Sequence, residues 1–238
     1  MSLITPMLTN GRIVPAAGGG VSTLTYQTST SADTHGGSIT MPAGISSGDI
    51  IVVCQSAVKN TFNTTAPTAA YGTGFTSIGT DTVSYDAGGG SFNNLRMCLS
   101  AKIADGSEAS SSISGFMNDN REAASVYVYR PDATPTTMTP TGYVSATSNA
   151  DPASQTVLAG SSTTAHIVIA HYSSRSTTPT ITYSGATSDA DFDDIGSVDC
   201  RLASRATGVA SGGGANVTID INDNNSLNGV AGCYIEVE

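Results

Sequence analysis

The sequence predicts an all-β fold, a jelly-roll-like antiparallel β-sandwich with an internal pseudo-repeat. Apolar and polar side chains alternate with period two through most of the chain, and helical spacing never persists for three turns. Turn-rich pieces such as Asp86-Ala87-Gly88-Gly89-Gly90 and Ser211-Gly212-Gly213-Gly214 cut this pattern into short strands. The chain also looks doubled: Leu99 falls on Leu202, Lys102 on Arg205, Asn118-Asp119-Asn120 on Asn222-Asp223-Asn224, and Tyr127 on Tyr234.

Taken in order, residues 1–20 read as an arm. Leu3, Ile4, Met7 and Leu8 precede the flexible joint Ala16-Ala17-Gly18-Gly19-Gly20. Apolar residues on a tether gain most by burial elsewhere, so these four are candidate anchors to a neighbouring subunit; a frayed terminus is the alternative. Residues 21–238 read as one sandwich domain with halves at about 38–130 and 155–238. Strands are expected near 22–27, 38–41, 50–57, 75–84, 94–103, 111–117 and 124–130, then near 155–159, 165–172, 179–183, 196–205, 215–221 and 232–237.

Each half opens on a strong apolar run, Ile50-Ile51-Val52-Val53-Cys54 and Ile167-Val168-Ile169-Ala170. Leu95, Met97, Leu99, Ala101 and Ile103 form an inward row, which leaves Cys98 on the polar side with Arg96 and Ser100. Val126 and Val128 form another inward row, with Tyr127 and Tyr129 on the reverse face. Cys200 and Cys233 alternate with apolar residues and read as core positions. The Asp132–Pro140 stretch reads as the linker between copies. A half of about four strong strands would leave its apolar face wet, so the halves are expected to interleave.

Charged residues are only 12% of the chain and its net charge is −10, with nine basic residues scattered from Arg12 to Arg205. Binding nucleic acid through phosphate neutralisation needs clustered cations, so that class is set aside. No run of about 18 apolar residues is present to span a membrane as a helix. The first residues lack a basic start followed by an apolar stretch, so synthesis in the host cytoplasm is expected, with the four cysteines as free thiols.

Catalytic patterns are weak. Gly44-Ile45-Ser46-Ser47-Gly48 has the letters of a nucleophile elbow but lies between a loop and a strand, where a turn is expected. His166 and His171 are five apart on one strand and face opposite ways, and His35 lies in a loop, so no shared metal or dyad is expected. Asp189, Asp191 and Asp193 offer alternating oxygens for calcium. Asp194 stands where the EF-hand pattern requires glycine, and Cys200 where it requires glutamate, so a solvated acidic loop is the alternative. Asp105-Gly106 reads as a turn in which Glu108 accepts bonds from amides and Lys102 pairs with either carboxylate.

Four strings run in series: Gly48-Asp49-Ile50-Ile51-Val52-Val53, Gly74-Phe75-Thr76-Ser77-Ile78, Ala101-Lys102-Ile103-Ala104-Asp105-Gly106-Ser107-Glu108, and Ala123-Ala124-Ser125-Val126-Tyr127-Val128-Tyr129-Arg130. Together they resemble a pattern of tailed-bacteriophage virion structural proteins. Its features are a Gly-Asp-apolar strand, an aromatic turn, a Lys-x-Ala-x-Gly-x-Glu turn, and a strand ending in a basic residue. The resemblance covers residues 38–130, departs at Tyr71-Gly72-Thr73-Gly74-Phe75, and echoes through the second half. It implies a non-enzymatic virion component in a tail fibre, tail tip or head decoration, held by the N-terminal arm to other virion proteins. No cofactor is expected beyond calcium, and a homo-oligomer such as a trimer is expected by analogy. The alternative function is a carbohydrate-binding adhesin, for which Tyr143 and Asp191 are candidate contacts to a host glycan.

Overall fold

A half-apolar sheet is stable only when a second layer covers it, and the layering here follows the doubling. The structure, a computed structural model, describes residues 20–33, 35–59, 66–78, 82–85, 94–119, 121–148, 155–158, 163–174, 180–184, 187–197, 200–214, 216–220 and 228–238. These contain strands β1 (Leu24–Ala32), β2 (Ser38–Thr40), β3 (Ile50–Lys59), β4 (Thr76–Ser77), β5 (Thr82–Tyr85), β6 (Asn94–Ile103), β7 (Ser112–Ser114) and β8 (Arg121–Pro131) in the first half. The second half supplies β9 (Met138–Ser148), β10 (Gln155–Leu158), β11 (Ala165–Ser174), β12 (Thr180–Ser184), β13 (Ala190–Ser197), β14 (Cys200–Val209), β15 (Asn216–Asp220) and β16 (Asn228–Val237).

Two large antiparallel sheets form a β-sandwich. The first has the order β1-β8-β3-β6, with β4 and β5 sharing the far side of β6; the second has the order β13-β14-β11-β16-β9. Substituting β9 for β1, β16 for β8, β11 for β3, β14 for β6 and β13 for the β4/β5 edge reproduces the second order strand for strand. The small β2–β7 pair corresponds to β10–β15, which β12 extends to three strands. The pseudo-repeat is therefore a repeat of topology. Each half builds its own large sheet, so the halves meet face to face instead of interleaving. Each apolar face is covered by the other half without any exchange of strands.

One apolar cluster fills the space between the sheets, drawing Val52, Leu99 and Tyr127 from the first and Ile167, Leu202 and Ile235 from the second. A second cluster lies behind the first sheet, where Ile51, Val53, Val126 and Val128 pack on Ile39, Met41, Ile45 and Phe116. Behind the second sheet, β15 lies against β11 and β10 against β16, and Val168, Ala170 and Tyr172 are fully buried. Both large sheets are thus covered on both faces. Such a strand reads as a continuous apolar run, which is why β3 and β11 stand out in the sequence.

Double coverage corrects several expectations. Tyr127 and Tyr129 face the shared core, while Val126 and Val128 face the layer behind; alternation alone does not identify the inner face when both faces are buried. Tyr127 and Tyr234 are not equivalent in direction. Tyr234 lies on the outer side of its strand, edge-on to His166 with ring centroids 5.6 Å apart. Cys98 is 1% exposed instead of lying on a polar face; its thiol meets the Met117 sulfur at 3.6 Å beneath the covering layer. The stretch read as linker runs into β9, an 11-residue edge strand that begins at Met138 and whose Pro140 is tolerable only at such an edge. The acidic loop is the edge strand β13, irregular between Phe192 and Ile195. The 75–84 strand is two pieces, β4 and β5, and the 22–27 strand extends to Ala32 past a bulge at Gln27. The arm residues Leu3, Ile4, Met7 and Leu8, and the Asn222-Asp223-Asn224 echo, lie outside the described residues.

Several polar groups inside the sandwich join its layers. The Ser204 hydroxyl lies 2.6 Å from that of Ser125 and 2.7 Å from that of Tyr127, bridging the sheets. The Ser56 hydroxyl lies 3.0 Å from His171 Nε2. Gln55 donates to the Ala70 carbonyl at 3.1 Å and accepts from Met117 N–H at 3.0 Å, tying the covering layer to β3. Burial pushes the Cys54 thiol up to about 12 and Cys233 well above its ordinary value, so both stay protonated as packing groups.

Burial also lowers His171 from 6.5 to about 3. The folded protein holds the ring neutral, so its stability is intact above about pH 6.5 and falls as the pH drops from there toward 3. At about pH 5 the loss attributable to this ring is ~2 kcal/mol. Chemical denaturation between pH 7 and pH 5 should show a smaller decline for His171→Gln than for the unmodified protein; an unchanged decline assigns the effect to other groups.

Candidate functional site

Strand register gathers one end of the sandwich into a pole. Ile50 pairs with Ile103 and Tyr129, and Leu24 pairs with Pro131, so β1 and β3 begin where β6 and β8 end. In the second sheet Val237 pairs with Ala165 and Met138, and His166 pairs with Val209, which places the corresponding ends together. The pole therefore carries residue 20, where the described chain begins, the connection between the halves at residues 132–137, and residue 238.

Three hydrogen-bonded locks build it. In the first, Arg130 grips Asp49 with two bonds, Nε to Oδ1 at 2.8 Å and Nη2 to Oδ2 at 2.7 Å. Nη2 also donates to Ser46 Oγ at 2.9 Å and the Gly44 carbonyl at 3.2 Å. Asp49 is 1% exposed and accepts from Ser46 N–H at 2.8 Å, so the Gly44–Gly48 letters form the turn that enters β3. The Asp49 pairing holds the guanidinium proton more tightly than usual.

The second lock is the turn after β6. Gly106 sits at φ +97°, a region that favours glycine. Glu108, 2% exposed, accepts from the Asp105 and Gly106 amides at 3.3 and 2.9 Å, and Lys102 Nζ reaches it at 2.5 Å. Burial pushes the Glu108 carboxyl up, but the Lys102 bond and the turn amides outweigh it and leave it below its ordinary value. The Ser107 hydroxyl and amide, with Lys102, lower Asp105 to about 2. Both partners foreseen for Lys102 are present, with Asp105 at 3.3 Å.

The third lock fastens Ser22 and Thr23, just before β1. Asp132 accepts from the amides of Ser22 at 2.9 Å and Thr23 at 3.2 Å, and from the Ser22 hydroxyl. The Ser22 bonds, with that of Thr23, hold its carboxyl well below the usual range. Ser211 N–H donates to the Ser22 carbonyl at 2.9 Å, and Thr137 N–H donates to the Glu238 carbonyl at 2.9 Å. Two open depressions flank this lock. One, of about 320 Å³, is lined by 47–49 and 130–135. The other, of about 450 Å³, is lined by residues that include 20–22, 163–164 and Glu238.

The remaining candidates are dispersed. Asp191 and Asp193 carboxylates lie 3.0 and 3.3 Å from Arg205, while Asp189 accepts from Gly208 N–H at 2.7 Å. Two of the acids therefore share the Arg205 guanidinium and the third caps a backbone amide, and among the described residues no group of three potential ligands converges on a metal position. Tyr143 is half-buried on β9 and Asp191 is exposed on β13, the opposite edges of one five-stranded sheet. Four strand spacings separate them by about 19 Å, so one small sugar cannot contact both. His166 and His171 face opposite ways and are both fully buried. The enclosed Ser56–His171 pair has no route to substrate. His35 sits 3.4 Å from Glu122, which also accepts from the Gly36 amide at 2.8 Å; burial lowers the imidazole against the opposing pull of that carboxylate.

Sequence reasoning found the second lock and missed the other two. Asp49 and Arg130 were both visible, one before an apolar strand and one at a strand end, but their pairing spans 81 residues and needs the β3–β8 register. Comparison with protein-family models, curated proteins and solved structures finds no match to this chain.

Removing the Glu108 carboxylate by Glu108→Ala leaves two turn amides without their acceptor and Lys102 with Asp105 alone, and should cost ~2 kcal/mol in urea denaturation. Asp132→Ala removes an exposed cap. It should leave Tm nearly unchanged while speeding proteolytic clipping just before Leu24; equal clipping rates would mean that Asp132 does not fasten the arm.

Proposed function

We propose that this protein is a non-enzymatic structural component of a tailed-bacteriophage particle, displayed on the particle surface and held to other virion proteins through residues 1–20. The observation that carries this reading is the pole. Asp49, Arg130, Lys102 and Glu108, which belong to the motifs that resemble phage virion proteins, join there into ion pairs beside the Asp132 cap on the arm entry. A tether fastened to one end of a double-covered sandwich leaves its flanks and opposite end free for display.

The chemistry of the described side chains favours a mechanical role. Arg130 and Lys102 spend their donors on neighbouring carboxylates, and the interior imidazole and thiols are neutral and enclosed. A net charge of −10 disfavours contact between copies wherever acidic surfaces would meet.

Mass spectrometry and immunogold labelling of purified particles should find the protein at a fixed copy number on the surface. Deleting residues 1–20 should abolish incorporation while the sandwich keeps its melting transition. Absence from purified particles overturns the reading, and full incorporation without the arm overturns its role as anchor.

A further inference from the structure

Open edges of the two large sheets differ in how they are protected. The edge on β6 is broken into β4 and β5, of two and four residues. The β13 edge carries Asp191, Asp193 and Asp194. Short strands and charges are the ordinary defences against pairing with another chain. The remaining edges, β1 and β9, have nine and eleven residues and no charged residue between them, in a chain of net charge −10.

These two strands are equivalents in the duplication, and they lie on opposite flanks: β1 runs beside β13 and β14, whereas β5 runs beside β9 and β16. Each is blunted only in its pole-side part. Gln27 Nε2 donates to the carbonyls of Thr25 and Tyr26 at 3.0 and 3.3 Å around the β1 bulge. In β9, Pro140 lacks an N–H, and a register shift opposite Gly232 and Tyr234 follows it. Residues 28–32 and 144–148 remain. Among the described residues, each pairs on one side only, with β8 and β16 respectively.

We propose that a second copy of this chain occupies these edges, with 28–32 of one molecule pairing through main-chain hydrogen bonds with 144–148 of the next. Mutual repulsion of acidic molecules selects contact where charge is absent, and both edges meet that condition. Because the edges differ and lie on opposite flanks, the contact is heterologous and propagates from copy to copy until a ring closes. The inference concerns purified protein in solution and is independent of the particle reading.

Light scattering on the full chain should give a mass of at least three times 24.0 kDa. Thr28→Lys with Thr30→Lys in β1, and separately Ser145→Lys with Thr147→Lys in β9, should each reduce it to the monomer mass, with the melting transition confirming the fold. Ser31→Lys, at an exposed position, is the milder β1 variant should the pair unfold the sandwich. The decisive step is mixing: the β1 variant retains an intact β9 edge and the β9 variant an intact β1 edge, so together they should form a heterodimer and nothing larger. A monomeric wild-type chain, an oligomer unchanged by the edge variants, or a mixture that stays monomeric each overturns the proposal.

Discussion

Every other feature of this protein depends on the requirement that both faces of both large sheets be dry. The shared core satisfies one face of each, and the outer layers satisfy the other. A fully buried Val or Ile stabilises by roughly 1.5–3 kcal/mol, whereas an interior hydrogen bond nets about 1 kcal/mol. The central strands are therefore largely apolar on both sides, and several of the polar exceptions cross between layers. Ser204 joins the sheets through Ser125 and Tyr127, His171 does so through Ser56, and Gln55 holds the cover on β3.

Dry interiors push the polar work to the ends of the strands. At the pole, antiparallel register brings together turns far apart in sequence, and carboxylates there satisfy backbone amides that no ladder can reach. Asp49, Glu108 and Asp132 each play that part, with Arg130 and Lys102 balancing the first two. Residues 20–23, the connection between the halves and residue 238 are thereby fixed relative to one another.

The duplication was legible from the apolar runs at β3 and β11, and the topology repeats it strand for strand. Its residue-level alignment was less secure. Leu99 and Leu202 both face the shared core, but Tyr127 and Tyr234 point to opposite faces, because matched letters do not carry the phase of the pleat. Strand β9 hid behind Pro140 and Gly142, and β13 behind its aspartates, since edge strands tolerate the residues that usually mark loops. Of the candidate site residues, the Lys102–Asp105–Glu108 turn was readable because its partners lie within seven residues of one another. Asp49–Arg130 and Asp132–Ser22 were not, because each joins segments that only the folded sheets bring together.

Alone, the sequence determined the all-β class, the doubling and the local turn chemistry, since period-two patterning and short-range hydrogen bonds are properties of neighbouring residues. Only the tertiary structure decided which face of each strand is inner, that each half keeps its own sheet, which strands become edges, and that three remote segments lock at one pole. Those outcomes depend on strand register and sheet stacking, which are set by the packing of side chains distant in sequence.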